Sequence, residues 1–392
     1  MSMLSVGIFT YSSKPRGSVV HAACLAEALE RAGARVKLYA LSKAGDDFYR
    51  TLACPLRLIP AAPAPSDVDQ LIAQRSAEFQ RGFAELGVRH DIYHAEDCLS
   101  GSALVGVKAK LGGAIVRTVH HVERYESSYL MACQARSITQ ADLVLSVSEA
   151  TRREVKTNFG IDAPVISNGV DVARFALPAS KACAALVERL GIQAGDRVVA
   201  SVGGVEPRKN SLILLKAIAL AHAREPRLRW LVAGGASIWQ HDEYRRAFAA
   251  RLAELPLELR ARIHLLGTVS EDELTAVYQL SELLLCASLQ EGFGLCVLEA
   301  LAAKAAVIVP RGAPFDEYLD AASAWFVDPR SPTEIAGALG ALLAEPTTLR
   351  CSAERGYELA RRYSWERVAQ SHLARYETLH GRARRAGELS TI

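Results

Sequence analysis

Short runs rich in Val, Ile and Leu alternate along the whole chain with stretches whose apolar residues recur every three or four positions. The first pattern suits strands buried on both faces, and the second suits helices with one apolar stripe. Their regular alternation predicts an α/β protein whose parallel sheets are covered by helices. In the first half the strand runs are residues 5–10, 35–41, 91–95, 115–120 and 143–147. Between the first two, Val19, Ala22, Ala26 and Leu29 share one face of a helix over 18–31, and Gly33 stands where a left-handed residue would stop it. Residues 67–86 and 127–140 read as further helices, and the Pro/Ala stretch 60–65 as a loop.

The second half repeats the alternation, with strands at 197–202, 229–233, 263–266, 283–286, 306–309 and 324–327. Ser270-Glu271-Asp272-Glu273 is a capping-box pattern opening a helix at Glu271, and later helices start near Asn210, Leu295, Pro332 and Thr348. Residues 364–379 form a last helix after the second sheet is complete. The boundary falls within 168–178, giving an N-terminal domain 1–170, a C-terminal domain 171–363 and a terminal segment 364–392. Two Rossmann-like sheets facing across a cleft are expected, with ligands beyond the carboxyl ends of their strands.

A length of 392 residues exceeds one ordinary core, which agrees with that division. The net charge of +3 is too small to point to a nucleic-acid partner or a polybasic membrane surface. Eight scattered cysteines, with no CxxC or Cys/His cluster, suggest buried reduced thiols rather than a zinc site or a disulfide framework. The N-terminal residues lack a basic leader pattern and read as the first strand, and no run is long and apolar enough for a membrane span. A cytoplasmic protein without a transmembrane segment is the expectation.

The chemistry concentrates at strand-to-helix turns. Glu291-Gly292-Phe293-Gly294-Leu295 follows the strand at 283–286 and opens a helix that carries Glu299. Glycines there let backbone approach a ligand, and a helix N-terminus offers N–H groups to an anion. A solvated acidic pair flanking a turn is the alternative, since carboxylates also gather near helix N-termini for dipole reasons. Gly203-Gly204-Val205-Glu206-Pro207-Arg208-Lys209 is a second such turn, with two cations suited to a polyphosphate, although it lacks Walker A spacing. Its alternative is a basic solvated turn. The first half supplies Lys14-Pro15-Arg16-Gly17-Ser18 after the first strand and His120-His121 after the fourth. Adjacent side chains on a strand diverge, so the histidine pair is a weak metal site. Asp67-Val68-Asp69 matches a DxD motif by letter but sits where a helix cap is expected, and no metal site is assigned to it.

Taken in order, these motifs resemble glycosyltransferase family 4, the retaining enzymes of the GT-B fold, over nearly the whole chain. Glu291 and Glu299 look like that family's E-x7-E pair, Asn168-Gly169-Val170-Asp171 with Arg174-Phe175 like its hinge, and Ser364-Trp365-Glu366 like its last helix, which crosses back to the N-terminal domain. The resemblance implies a UDP- or GDP-sugar donor, with no cofactor and no metal, and a small-molecule, glycan or lipid-linked acceptor. Glu299 would hold the ribose, and backbone around Gly292, Phe293, Gly294 and Leu295 the diphosphate. Glu291 and His120 would meet the donor sugar, and Lys209 would neutralise the leaving diphosphate. Gly17, Gly204 and Arg208 complete the implied donor site. Three departures stand out: Arg16-Gly17 replaces a usual Gly-Gly, Gly204 stands where an arginine is usual so that Arg208 would supply that charge, and Lys304 and Ala306 replace Gly and Pro. The alternatives are an epimerase or hydrolase of nucleotide sugars on the same fold, and a binding protein that has lost catalysis.

Overall fold

The computed structural model describes residues 3–43, 46–85, 89–235 and 241–389. The chain divides into two compact units, Met1–Gly169 with Trp365–Ile392 and Val170–Ser364. Each unit carries one six-stranded sheet in which all the strand pairs are parallel.

In the first unit the strands are β1 (Ser5–Thr10), β2 (Arg35–Lys43), β3 (Leu56–Ala61), β4 (Ile92–Ala95), β5 (Ala114–Val119) and β6 (Leu143–Ser146). Their order is β3-β2-β1-β4-β5-β6, that of a dinucleotide-binding sheet, and the winding reverses between β1 and β4. All residues of β1, β4 and β5 are buried, as expected of strands covered on both faces. Phe9 stacks on Tyr39 at 4.6 Å and on Tyr93 at 6.0 Å, tying β1 to both neighbours.

Of the loop expected over 60–65, residues 62–65 carry no regular structure, but the first two residues close strand β3. Pro60 lies inside it and pairs with Ser42, and β3 is an edge strand, where a residue without an N–H leaves no ladder bond unmade on the open side. The sequence pattern also passes over helices Cys98–Gly106, Glu149–Phe159, Ser180–Leu190 and Asp242–Ala253. The first of these is only nine residues long and holds two glycines and two serines.

The second unit contains β7 (Arg197–Val202), β8 (Leu228–Ala233), β9 (Ile263–Gly267), β10 (Leu283–Leu285), β11 (Ala306–Pro310) and β12 (Trp325–Val327). The order β12-β11-β10-β7-β8-β9 is the same winding read from the other edge, with its reversal between β7 and β10. Trp230, fully buried at its centre, donates its indole N–H to Ser201 Oγ at 2.9 Å. The expected capping box forms: Ser270 Oγ accepts from the Glu273 N–H, and the Glu273 carboxylate accepts from the Ser270 N–H.

The last helix, Trp365–Leu389, belongs to the first unit and is longer than the sequence pattern indicates. Gly169 shows how closely it returns: a Cβ there would lie 2.8 Å from the Trp365 N and 2.9 Å from its Cα, so only glycine fits.

Candidate functional site

In the second unit, the turns after β7 and β10 meet at the sheet's reversal point. Lys209 Nζ lies 2.6 Å and Arg208 Nη1 3.1 Å from the same oxygen, Glu291 Oε1. The Lys209 and Glu291 side chains are only 14% and 10% exposed, which rules out both the solvated basic turn and, for Glu291, the solvated acidic one. Burial alone would raise the Glu291 carboxyl, but the Lys209 and Arg208 cations outweigh it and hold it at about 2. The two turns are also tied through backbone, because Leu289 N donates to Arg208 O at 2.8 Å and Arg208 Nη1 donates to Gln290 O at 3.1 Å.

Beyond Glu291 the chain turns through Gly294 into the helix Leu295–Ala302. Gly294 has φ +92°, and a Cβ on it would meet Phe315 at 2.6 Å, so the turn requires glycine twice over. No side chain caps this helix, and of its first N–H groups Val297 N donates to Gly294 O at 2.9 Å. Phe293 is fixed by stacking on Tyr318 at 4.8 Å, whose hydroxyl donates to Phe293 O at 3.0 Å. Glu299, in the second turn of the helix, accepts from the Tyr278 hydroxyl at 2.7 Å, and burial raises its carboxyl above the usual value.

In the first unit, Glu96 and Asp97 follow β4 at that sheet's reversal point. Asp97 caps the helix Cys98–Gly106 by accepting from Ser100 N at 2.8 Å, and it also accepts from Tyr11 N at 2.8 Å. His120, just after β5, donates from Nε2 to Glu96 Oε2 at 2.8 Å. His21 Nδ1 lies 2.9 Å from the same oxygen but off the line of a hydrogen bond. Among the described residues, His21, Glu96 and His120 form the one trio whose ligand-type atoms converge within 4.8 Å.

Residues 15–174 match the model described as Glycosyltransferase Family 4, and residues 184–359 match that described as Glycosyl transferases group 1. The chain belongs to glycosyltransferase family 4. A D-inositol 3-phosphate glycosyltransferase of Segniliparus rotundus is 26% identical over 93% of this chain and 84% of its own length. One from Corynebacterium glutamicum is 28% identical over 72% of this chain and 71% of its own. Sucrose-phosphate synthase from Thermosynechococcus elongatus superposes with a TM-score of 0.80 at 19% identity, over 96% of this chain and 99% of that one. Anabaena HepE, solved in complex with UDP-glucose, superposes with a TM-score of 0.78 at 17% identity, over 96% and 100%. The fold is GT-B, and the protein is a glycosyltransferase.

The departures from the family 4 pattern have local causes. Gly204 has φ +74°, and a Cβ there would lie 2.7 Å from Gly234 O and 2.8 Å from Gly235 O, so no arginine fits at that position. The nearby guanidinium comes instead from Arg208, beside Glu291. Lys304 adopts φ +61° at the end of its helix, the left-handed conformation a glycine would take there, and its ammonium sits 4.8 Å over the Tyr357 ring. Gly17 opens the helix Gly17–Arg31, and a Cβ on it would meet nothing within 4 Å, so packing does not demand glycine there. Arg16 takes the N-cap position without a side-chain cap bond.

His121 pairs separately with Glu123 at 2.5 Å, apart from His120, and both histidines lie just past the end of β5. Asp67 accepts from Gln70 N at 2.8 Å as a helix cap, and Asp69 hydrogen-bonds Ser127. The sequence reading missed Tyr278 and Tyr318, which reach the site from separate segments, and it missed Glu96. The only signal for Glu96 was a carboxylate one residue past the end of a buried strand.

Proposed function

We propose that the protein is a retaining hexosyltransferase that takes a sugar from a UDP- or GDP-sugar bound in the second unit. The observation that carries this reading is the meeting of the uncapped helix start at Gly294–Leu295 with Arg208 and Lys209, two cations set against the single carboxylate of Glu291. A diphosphate is the anion such a place favours, since helix dipole and fixed cations act on it together. Glu299, whose hydrogen bond from Tyr278 leaves its other oxygen for a ligand, is assigned to the ribose hydroxyls. Phe293, Gly292 and the backbone to Leu295 line the diphosphate, and Gly17 and Gly204 let backbone approach the donor.

As the glycosidic bond breaks, negative charge grows on the diphosphate, and Lys209 stabilises that state more than the intact donor. The arriving diphosphate competes with Glu291 for Lys209, which frees the Glu291 carboxylate to meet sugar hydroxyls, and the family resemblance assigns His120 to the donor sugar as well. The acceptor approaches the face that the leaving group vacates, through an oxocarbenium-like state. Cations and helix dipole supply the electrostatic stabilisation without a metal ion. The D-inositol 3-phosphate glycosyltransferases among the relatives make an inositol phosphate the first acceptor to try.

The experiment is proton NMR of the first-formed product from UDP-glucose or GDP-glucose and D-inositol 3-phosphate, with and without excess EDTA. The donor's anomeric configuration should persist in the product, and EDTA should leave the rate within about twofold. An inverted anomeric centre would remove the retaining assignment. Complete loss in EDTA, restored by a divalent cation, would remove the metal-free one.

A further inference from the structure

Glu96 is a carboxylate with 1% exposure, held rigidly on both sides. Its backbone N–H donates to Phe9 O at 3.0 Å, and the next residue, Asp97, is fixed by two backbone N–H groups. Placing an anion there costs several kcal/mol unless its surroundings answer the charge. They do so with imidazoles. His120 occupies Oε2 at 2.8 Å, His21 stands beside that oxygen, and His94 Nε2 lies 3.6 Å from Oε1, an atom with no hydrogen-bond partner.

The surroundings are built from four elements. His21 comes from the helix Gly17–Arg31, His94 from β4, Arg117 from β5 and His372 from the terminal helix. Trp365 packs on the His21 ring at 5.3 Å, and His21 meets His120 edge to face at 4.8 Å. His94 is already committed, accepting or donating at Thr118 Oγ1 over 2.7 Å and hydrogen-bonded to the Tyr376 hydroxyl on its other nitrogen. His120 alone of these rings is partly open, with 13% of its side chain exposed.

The separations speak against a metal cage. Around a tetrahedral cation with bonds of about 2.0–2.1 Å, neighbouring ligand atoms sit roughly 3.3 Å apart. Here they approach Glu96 Oε2 to 2.8 and 2.9 Å, closer than two ligands of one cation would stand, and the His120 contact is a hydrogen bond.

We propose that Glu96 is a positioning residue for His120: its carboxylate takes the Nε2 proton, fixes the neutral tautomer, and leaves the Nδ1 lone pair as the acceptor for a substrate hydroxyl. The logic is that of a buried carboxylate orienting a working imidazole. It rests on the reading that His120 meets the donor sugar. Charge balance supports it from a separate direction. Burial would raise the Glu96 carboxyl, but His21 and His94, with the hydrogen bond from His120, hold it well below the usual range. Burial likewise pushes His120 down to about 4 against the pull of Glu96, so the ring is neutral at pH 7 and donates one proton only.

The test is long-range 1H–15N correlation NMR of the full chain labelled at histidine, with the His120 signals assigned by their loss in His120→Asn. The wild type should show His120 as the Nε2–H tautomer. A predominantly Nδ1–H ring in the wild type overturns the proposal, whatever the variants do. Glu96→Met removes the acceptor while filling its space, and should convert the His120 signal to a tautomer mixture. It should also lower turnover of UDP-glucose about 10–100-fold, the usual effect of losing such an orienting partner, with UDP affinity within twofold of wild type. Glu96→Gln keeps an accepting oxygen and should restore most of the tautomer and of the turnover. An unchanged Nε2–H signal in folded Glu96→Met overturns the proposal, and so does stoichiometric zinc in the wild type that this variant loses. If wild-type protein turns over no nucleotide sugar but shows the Nε2–H tautomer that Glu96→Met abolishes, the proposed function fails and the positioning role of Glu96 stands.

Discussion

Glu96 directly follows β4 and Glu291 lies in the turn after β10, each at the reversal point of its sheet, yet they are neutralised in different ways. Glu96 is surrounded by the imidazoles of His21, His94 and His120, and Glu291 by an ammonium and a guanidinium that keep their protons. A carboxylate held by permanent cations marks a place whose positive charge an incoming anion can take over. One that accepts the proton of a neutral His120 ring fixes where that proton sits without offering charge. The second unit is thereby suited to a diphosphate, and the first to a hydroxyl. The buried Lys209–Glu291 pair is weak evidence for stability, because desolvation consumes most of what the attraction returns. Its use is as a charge ready to be exchanged.

The largest effect should come from the cation side. Lys209→Met keeps the aliphatic stem and removes the charge, and should lower the rate at saturating donor by about 10²–10³, as when one electrostatic stabiliser is lost. Donor affinity should fall less. Because Lys209 is largely buried against Glu291, its loss should also lower the melting temperature measurably, which a solvated turn would not do. Arg208→Met should slow the reaction comparably if its guanidinium serves the diphosphate. Steady-state rates at several donor concentrations separate these outcomes, and an active Lys209→Met enzyme with wild-type donor kinetics would reduce the loop to a structural ion pair.

A smaller effect separates the two carboxylates by pH. His94 and His120 in the first unit have pKa values pushed down to about 4 by burial, below their ordinary 6.5, and His372 to about 3. The unfolded chain therefore binds more protons than the folded one from about pH 6.5 downward, so these groups contribute stability that is full above 6.5 and lost as pH falls toward 4. Glu291, lowered from 4.5 to about 2, contributes stability that is full above 4.5 and lost only as pH falls toward 2. His222 and His264 of the second unit shift in the same direction as the first unit's rings but are less deeply buried. Hydrogen exchange read by mass spectrometry, corrected for intrinsic rates, should show β4 and β5 losing protection between pH 6.5 and 5 while β7 and β10 keep theirs. Simultaneous loss in both sheets would erase the contrast.

Much of this was legible in the sequence because it depended on local pattern. Among the described residues, eleven of the twelve strands fall where apolar runs place them, and eight of these are interior parallel strands with no polar face to blur the signal. The exception, β3, is an edge strand carrying a proline, which in sequence looks the same as a loop. The turn at Glu291–Leu295 was readable from its glycines, and the structure shows Gly294 at positive φ. Gly204 looked like a loss until Gly234 and Gly235 proved to press on it from a strand end some thirty residues away. Glu96 stayed hidden for the same reason: its meaning lies in His21 and His120, which chain proximity does not connect to it.

The second unit is proposed to hold a nucleoside diphosphate with Glu299 on its ribose. Calorimetric titration of UDP and GDP into the full-length protein and into Glu299→Gln tests it directly. One of the two nucleotides should bind the wild type, and the substitution should weaken that binding by about 10- to 150-fold, the equivalent of roughly 1.5–3 kcal/mol for a hydrogen bond to a charged group. Absence of binding by either nucleotide, or equal affinity in a folded Glu299→Gln protein, would contradict it.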